Sequence, residues 1–193
     1  QDTAPELFDF SLNLPARGPA EQALAATLGE LTQSGGLSPF LDYQPDTGMR
    51  HHRAVGAKWL AEIGIDARPD QVAVTNGAQN GMMMAFSAAA RPGDTVLTES
   101  VTYPGIKEVA APMNLRLVGV PMDEFGLLPE ALEEACAARR PSTLYCIPTL
   151  QHPTSRIMPE PRRRDSADSA RSHGAASTED EGEGRLPKPT PPA

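Results

Sequence analysis

The chain has 193 residues, enough for one domain of ordinary size or one domain with a tail. Its 25 acidic and 17 basic residues give a net charge of -8, which argues against non-specific binding to nucleic acid or to an anionic bilayer. No stretch approaches the roughly 20 apolar residues that span a membrane, and the opening QDTAPELFDF lacks the basic and apolar regions of a secretory leader.

Cys136 and Cys146 both lie in apolar surroundings and read as reduced core thiols, which predicts a reducing, cytoplasmic setting. The chain opens on Gln1 rather than Met, which predicts a processed or partial polypeptide.

Residues 1–17 read as an irregular arm with a short apolar run at Leu7 to Leu14. Pro19 can open a helix over Glu21 to Gln33, closed by Gly35-Gly36, with Leu24, Leu28 and Leu31 on one face. Leu37 to Gly48 is a loop, and Met49 to Glu62 a second helix with Val55 and Trp59 at four-residue spacing.

From Gln71 the pattern becomes regular. QVAVTNGAQNGMMMAFSAAA predicts a strand at Val72 to Val74, a tight turn at Thr75-Asn76-Gly77 and a helix from Ala78 to Ala90. Strands follow at Thr95 to Thr98, Leu115 to Val120 and Leu144 to Ile147, separated by helices at Gly105 to Ala111 and Leu128 to Ala138. This alternation predicts a three-layer α/β domain with a mostly parallel sheet, whose functional loops gather beyond the carboxyl ends of the strands.

Composition changes near Pro159. Residues 159–193 contain a single large apolar residue, Leu186, with six prolines and many charges. A helix over Arg162 to Ser172 would have no apolar stripe. The segment is predicted to be a polar, Pro-rich tail, disordered or weakly packed. The predicted organisation is therefore an arm, helix and loop over 1–48, a partial α/β domain over 49–158, and the tail.

The turn at 75–79 is the chemically suggestive stretch. Free N–H groups at a helix start favour an anion, phosphate above all. The same residues also read as an ordinary strand–helix joint, because the glycines match neither the dinucleotide nor the triphosphate-loop spacing. His51 and His52 are adjacent, point about 100° apart on a helix, and make a poor metal pair.

Several motifs in order carry a family resemblance: FSLNLP at Phe10 to Pro15, LDYQPDTG at Leu41 to Gly48, VTNGAQ at Val74 to Gln79, PGDTVLTESVTYPG at Pro92 to Gly105, VPMDEFGL at Val120 to Leu127, and IPTLQHPTS at Ile147 to Ser155. Together they resemble the first half of the catalytic domain of pyridoxal 5'-phosphate-dependent aminotransferases of the aspartate-aminotransferase fold. The pattern is nearest to the aminotransferase-like domain of GntR/MocR-type regulators and related transaminases. The clear resemblance covers about residues 10 to 160 and implies an incomplete major domain of that fold.

The resemblance implies pyridoxal 5'-phosphate as cofactor and an amino acid and a 2-oxo acid as small-molecule partners. It implies that Gly77, Ala78 and Gln79 hold the cofactor phosphate at a helix start. Tyr103 would lie against the pyridine ring, and Tyr43 would reach the phosphate site of a second subunit in a homodimer. Read without the family, Tyr103 is a half-buried loop aromatic and Tyr43 a packing residue.

The departures are informative. His152-Pro153-Thr154-Ser155 stands where the family has Asn-Pro-Thr-Gly, so His152 would take the place of an asparagine that donates to the cofactor ring oxygen. Ser155 replaces a glycine and is not expected to take a positive φ. In the tail, ARSHGAASTEDEGEGRL aligns loosely with a segment ending in Asp-x-x-Tyr, which makes Asp180 the acid that pairs with the pyridine nitrogen and puts Glu183 in the tyrosine's place. Asp180 also reads simply as one acid in the run Glu179 to Glu183. The lysines Lys58, Lys107 and Lys188 match none of the family's catalytic lysine motif, so this polypeptide alone is predicted not to transaminate. Two other readings are a cofactor-binding effector domain of a transcription regulator, without nucleic-acid contact by this segment, and a truncated domain that binds nothing.

Overall fold

A computed structural model describes residues 18–183. The FSLNLP motif, Leu186 and Lys188 lie outside the described residues. The chain divides into two units, one up to Asp46 and one from Thr47.

In the first unit, helix α1 spans Ala20–Gln33 with Pro19 as its N-cap, followed by a single 3-10 turn at Ser38–Leu41. Leu24, Leu28 and Leu31 share a face of α1 as predicted, and all three are exposed.

The second unit opens with α2, Arg50–Ala61. The predicted strand at Val72 to Val74 does not form. A 3-10 turn at Pro69–Gln71 leads into extended chain whose Val74 amide donates to the Thr47 carbonyl. Val74 is exposed, so the apolar alternation is present without a neighbouring strand among the described residues. Gly77, at φ 83°, turns the chain into α3, Ala78–Ala89.

The remaining elements alternate: β1 Thr95–Glu99, α4 Gly105–Ala110, β2 Arg116–Val120, a small hairpin of β3 Met122–Asp123 and β4 Gly126–Leu127, α5 Pro129–Arg139, and β5 Thr143–Cys146. The segment expected to be a loose tail instead supplies α6, Glu160–Ser172, and β6, Ala176–Glu179. The main sheet has the order β2-β1-β5-β6, and each neighbouring pair is parallel.

Both sheet faces are covered, which makes three layers. On one side Val96 and Tyr145 pack with Met82 and Phe86 of α3 and with Ile106 and Val109 of α4. On the other, Leu97, Leu144 and Cys146 pack with Leu132 and Cys136 of α5 and Ala170 of α6. Strand β1 is buried along its whole length, as expected of a central parallel strand. Cys136 and Cys146 are buried free thiols, and burial holds both above the ordinary thiol range. Among the described residues no helix is long and apolar enough to cross a membrane.

Candidate cofactor site at the carboxyl edge of the sheet

Helix α3 begins without a side-chain cap, because Gly77 offers no acceptor. The turn before it is held by its own side chains. Thr75 Oγ1 donates to the Gly77 carbonyl at 3.1 Å, and Asn80 Oδ1 accepts from the Asn76 amide at 3.1 Å. Gly77, Ala78 and Gln79 are exposed. First-turn amides have no partner within their own helix, so this start presents N–H groups outward.

A cleft of about 290 Å³ lies against this helix start, and its lining includes Ala78, Gly81, Met82, Tyr145 and Asp180. Asp180 follows β6, and its amide donates to the Cys146 carbonyl at 2.9 Å. Its Oδ2 accepts from the Tyr145 hydroxyl at 2.8 Å, and its Oδ1 accepts from the Gly182 amide at 3.0 Å. Burial and the adjacent Asp180 carboxylate push the Tyr145 phenol above its ordinary range, so it remains a donor. The Tyr145 ring is wholly buried and meets Phe86 of α3 edge-on, with centroids 6.1 Å apart.

A second set of contacts links Gln79, Tyr103 and His152. Gln79 Nε2 donates to Tyr103 Oη at 3.3 Å, and the Tyr103 and His152 rings meet edge-on with centroids 5.7 Å apart. Tyr103 is half-buried. Its ring lies over Gly105, the first residue of α4, where a Cβ would overlap the ring atoms. Gly105 therefore belongs to the site even though it offers no functional group.

The structure thus places Ala78 with Asp180 in one cleft, joins Gln79, Tyr103 and His152 through direct contacts, and sets Gly77 at the N-cap of α3. Tyr43 belongs to the first unit, where its side chain is fully exposed. Ser155 sits at φ 56°, so the left-handed turn is made with a serine in place, contrary to the expectation from its Cβ. His152–Pro153 is a cis peptide.

The sequence reading missed Tyr145, Glu99 and Gln151. Glu99, at the carboxyl end of β1, is 1% exposed. Burial pushes its carboxyl up to about 7, against the lowering effect of hydrogen bonds from Gln151, Ile147 and Thr102. The available signals were weak: a charge closing an apolar strand, and a glutamine beside the His-Pro motif.

The profile of the family "Aminotransferase class I and II" matches residues 5–181. The chain belongs to that family. The 2-aminoadipate transaminase of Thermus thermophilus is 32% identical over 192 residues, which cover 95% of this chain and 47% of that protein. The HTH-type transcriptional regulator YjiR of Escherichia coli is 30% identical over 151 residues, covering 78% of this chain and 32% of the regulator. Among solved structures, the α-aminoadipate aminotransferase LysN of Thermus thermophilus, complexed with N-(5'-phosphopyridoxyl)-L-leucine, superposes with a TM-score of 0.70 at 31% identity, covering 83% of this chain and 40% of LysN. An archaeal alanine:glyoxylate aminotransferase shares the fold with a TM-score of 0.75 at 24% identity, over 83% of this chain and 41% of the other. The chain therefore spans about half the length of the relatives it matches, and forms part of the full aminotransferase fold.

Proposed function

We propose that this chain is the cofactor-binding part of a pyridoxal 5'-phosphate-dependent aminotransferase, acting between an amino acid and a 2-oxo acid. The observation that carries this reading is the pairing, across one cleft, of an uncapped helix start with the Asp180 carboxylate. The two ends fit the two ends of the cofactor. Amides of Ala78 and Gln79 suit a phosphate, and a carboxylate suits a protonated ring nitrogen. Tyr103 offers a ring face held by Gln79 and Gly105, and His152 a ring N–H in place of the family's amide. When bound, the cofactor supplies an electron-withdrawing ring that stabilises negative charge at the α-carbon of the amino acid. Tyr145 holds one oxygen of Asp180 by donation, which fixes the direction of the carboxyl group.

Lys58 on α2 does not line the cleft, Lys107 on α4 lines the pocket beside Tyr103, and neither stands in a match to the family's catalytic lysine motif. The chain is therefore expected to bind the cofactor non-covalently and not to turn over. Titrating the purified chain with pyridoxal 5'-phosphate by equilibrium dialysis tests this. Saturable binding that inorganic phosphate competes for, and that Asp180→Asn weakens about tenfold, supports the reading. Equal retention by the D180N variant overturns it.

The similarity to YjiR favours a second reading, in which the same cleft serves an effector-sensing domain of a regulator. A basic DNA-binding domain preceding this segment in the intact polypeptide would decide for it. In either case Tyr43, exposed in the first unit, is proposed to meet a second copy of the chain. Sedimentation equilibrium of the wild type and Tyr43→Ala checks that.

A further inference from the structure

Glu99 stands outside the roles given above, yet it ties the site's two loops together. Its Oε2 accepts from the Ile147 amide at 3.3 Å, from Gln151 Nε2 at 3.2 Å and from Thr102 Oγ1 at 3.4 Å. Its Oε1 is buried and unpartnered. Gln151, 3% exposed, spends every polar atom on the same junction. Its Nε2 also donates to the Val101 carbonyl at 2.7 Å, and its Oε1 accepts from the Thr154 amide at 3.2 Å and the Thr154 hydroxyl at 2.6 Å. Its backbone closes the turn, the N–H donating to the Arg156 carbonyl at 2.8 Å and the carbonyl accepting from the Ser155 amide at 2.6 Å. One side chain thus joins the loop that presents Tyr103 to the loop that presents His152, and a buried carboxylate anchors it.

We propose that Glu99 is a positioning residue: through Gln151 it locks the loop at 147–156 against the loop at 100–104 and so sets the spacing of the Tyr103 and His152 rings. The inference rests on the cofactor reading only for the use to which that spacing is put. The lock itself is a property of this chain's own residues. Burial disfavours the charged form of Glu99, and opening the junction hydrates it, so the lock is tightest while Glu99 is protonated and loosens as it ionises. The titratable groups that act on Glu99 or feel its charge are Asp180 after β6 and Tyr145 and Cys146 on β5. None of these three supplies a positive charge; Lys107 of α4, which lines the same pocket as Glu99, is the cation on that side.

Hydrogen–deuterium exchange of the full chain, without cofactor, tests the lock. Gln151→Ala is expected to raise exchange at 100–104 and at 147–156 by about tenfold while leaving α5 unchanged. Thr154→Val, at an exposed position, removes one bond to Gln151 and is expected to raise exchange at 147–156 alone by about threefold. Thr154→Val keeps the inference testable if Q151A fails to fold. In the wild type, exchange at 147–156, corrected for its intrinsic pH dependence, quickens as pH rises through 7. In Glu99→Gln that pH dependence disappears. Unchanged loop exchange in Q151A and T154V, an equal rise across α5, or a persistent pH dependence in E99Q overturns the proposal. A parallel titration with pyridoxal 5'-phosphate separates the two ideas. Local exchange changes in a chain that never binds it sink the proposed function and leave the lock standing. Normal binding with an unperturbed loop sinks the lock alone.

Discussion

Replacing Glu99 with glutamine gives a test of the buried carboxyl whose sign is fixed in advance. The wild-type group sits at about 7 in the fold against an ordinary 4.5, raised chiefly by burial. Because the folded value is the higher, the group's contribution to stability is complete below about pH 4.5 and is lost as pH rises through 7. At ~1.4 kcal/mol for each factor of ten, the full loss is ~3 kcal/mol, an upper figure because solvent reaches the site when the loops open. In E99Q the carbonyl oxygen can keep the three donors that Oε2 accepts, and the amide nitrogen enters the unpartnered position of Oε1. That NH₂ stands where the O–H of the neutral wild-type carboxyl is equally unpartnered, so the orphaned donor nearly cancels at low pH. The variant should therefore nearly match the wild type near pH 5 and be the more stable protein near pH 8. Urea denaturation followed by far-ultraviolet circular dichroism at pH 5, 6, 7 and 8 measures the difference. Asp123 and Glu133, whose carboxyls are held low by Phe125 and Arg162 and by Ser169 and His173, contribute equally to both proteins and cancel. Parallel stability profiles for wild type and E99Q between pH 5 and 8 would refute the burial argument.

Gly105→Ala places a Cβ where the Tyr103 ring lies, and because the neighbour is a ring on a short loop it must move. A cost of ~1–3 kcal/mol in stability is expected, with an altered near-ultraviolet tyrosine signal. Ser155→Gly relieves a left-handed residue at φ 56° and should raise stability by about 1 kcal/mol, read from the urea midpoint, whereas Ser155→Ala should not. Tyr145→Phe keeps the ring packed on Phe86 but removes the donor to Asp180. Stability should fall by ~1–2 kcal/mol and pyridoxal 5'-phosphate affinity severalfold, as measured by denaturation and dialysis.

The alternating part of the chain was legible because its physics is local. Helices over 20–33, 50–61, 78–89, 105–110 and 129–139 start and stop within a residue or two of the proline, glycine and apolar signals that predicted them. Strands β1, β2 and β5 likewise follow short apolar runs. Val72 to Val74 misled because a strand is a relation between segments. The residues have the right apolar character, but among the described residues no strand pairs with them. In the site, the helix start at 77–79 and the aromatic at 103 were visible as a turn and a motif. Glu99, Gln151 and Tyr145 were not, since nothing local distinguishes a buried carboxylate from a surface one. Their meaning comes from a sheet that sets residues 99, 145, 151 and 180 side by side.

The tail shows the opposite error, in which composition was read correctly and its consequence was not. Residues 160–179 have no large apolar side chain, so they cannot join the sheet by the usual burial of ~1.5–3 kcal/mol per aliphatic group. They join by other means. Strand β6 takes a full parallel ladder from Thr143–Cys146, which satisfies its backbone whatever its side chains. Small residues let α6 approach closely, with Ser166 and Ala170 buried on it and Ala175 buried at its end. Arg163 of α6 pairs with Glu179 and with Glu181, the latter at 2.7 Å, so the helix is tied across to the strand whose end carries Asp180. Arg162 donates to the Leu127 carbonyl at 2.7 Å and pairs with Asp123, tying the same helix to the hairpin. These pairs are partly buried, so each gives on the order of 1 kcal/mol and is weakened by salt less than a fully exposed pair but more than the buried junction at Glu99. The position of Asp180 thus depends on polar contacts at the sheet's edge, while Tyr103 and His152 depend on a buried junction at its centre. The ring-nitrogen end of the proposed site should accordingly be the more sensitive to ionic strength, and the ring-facing end the more sensitive to pH near 7.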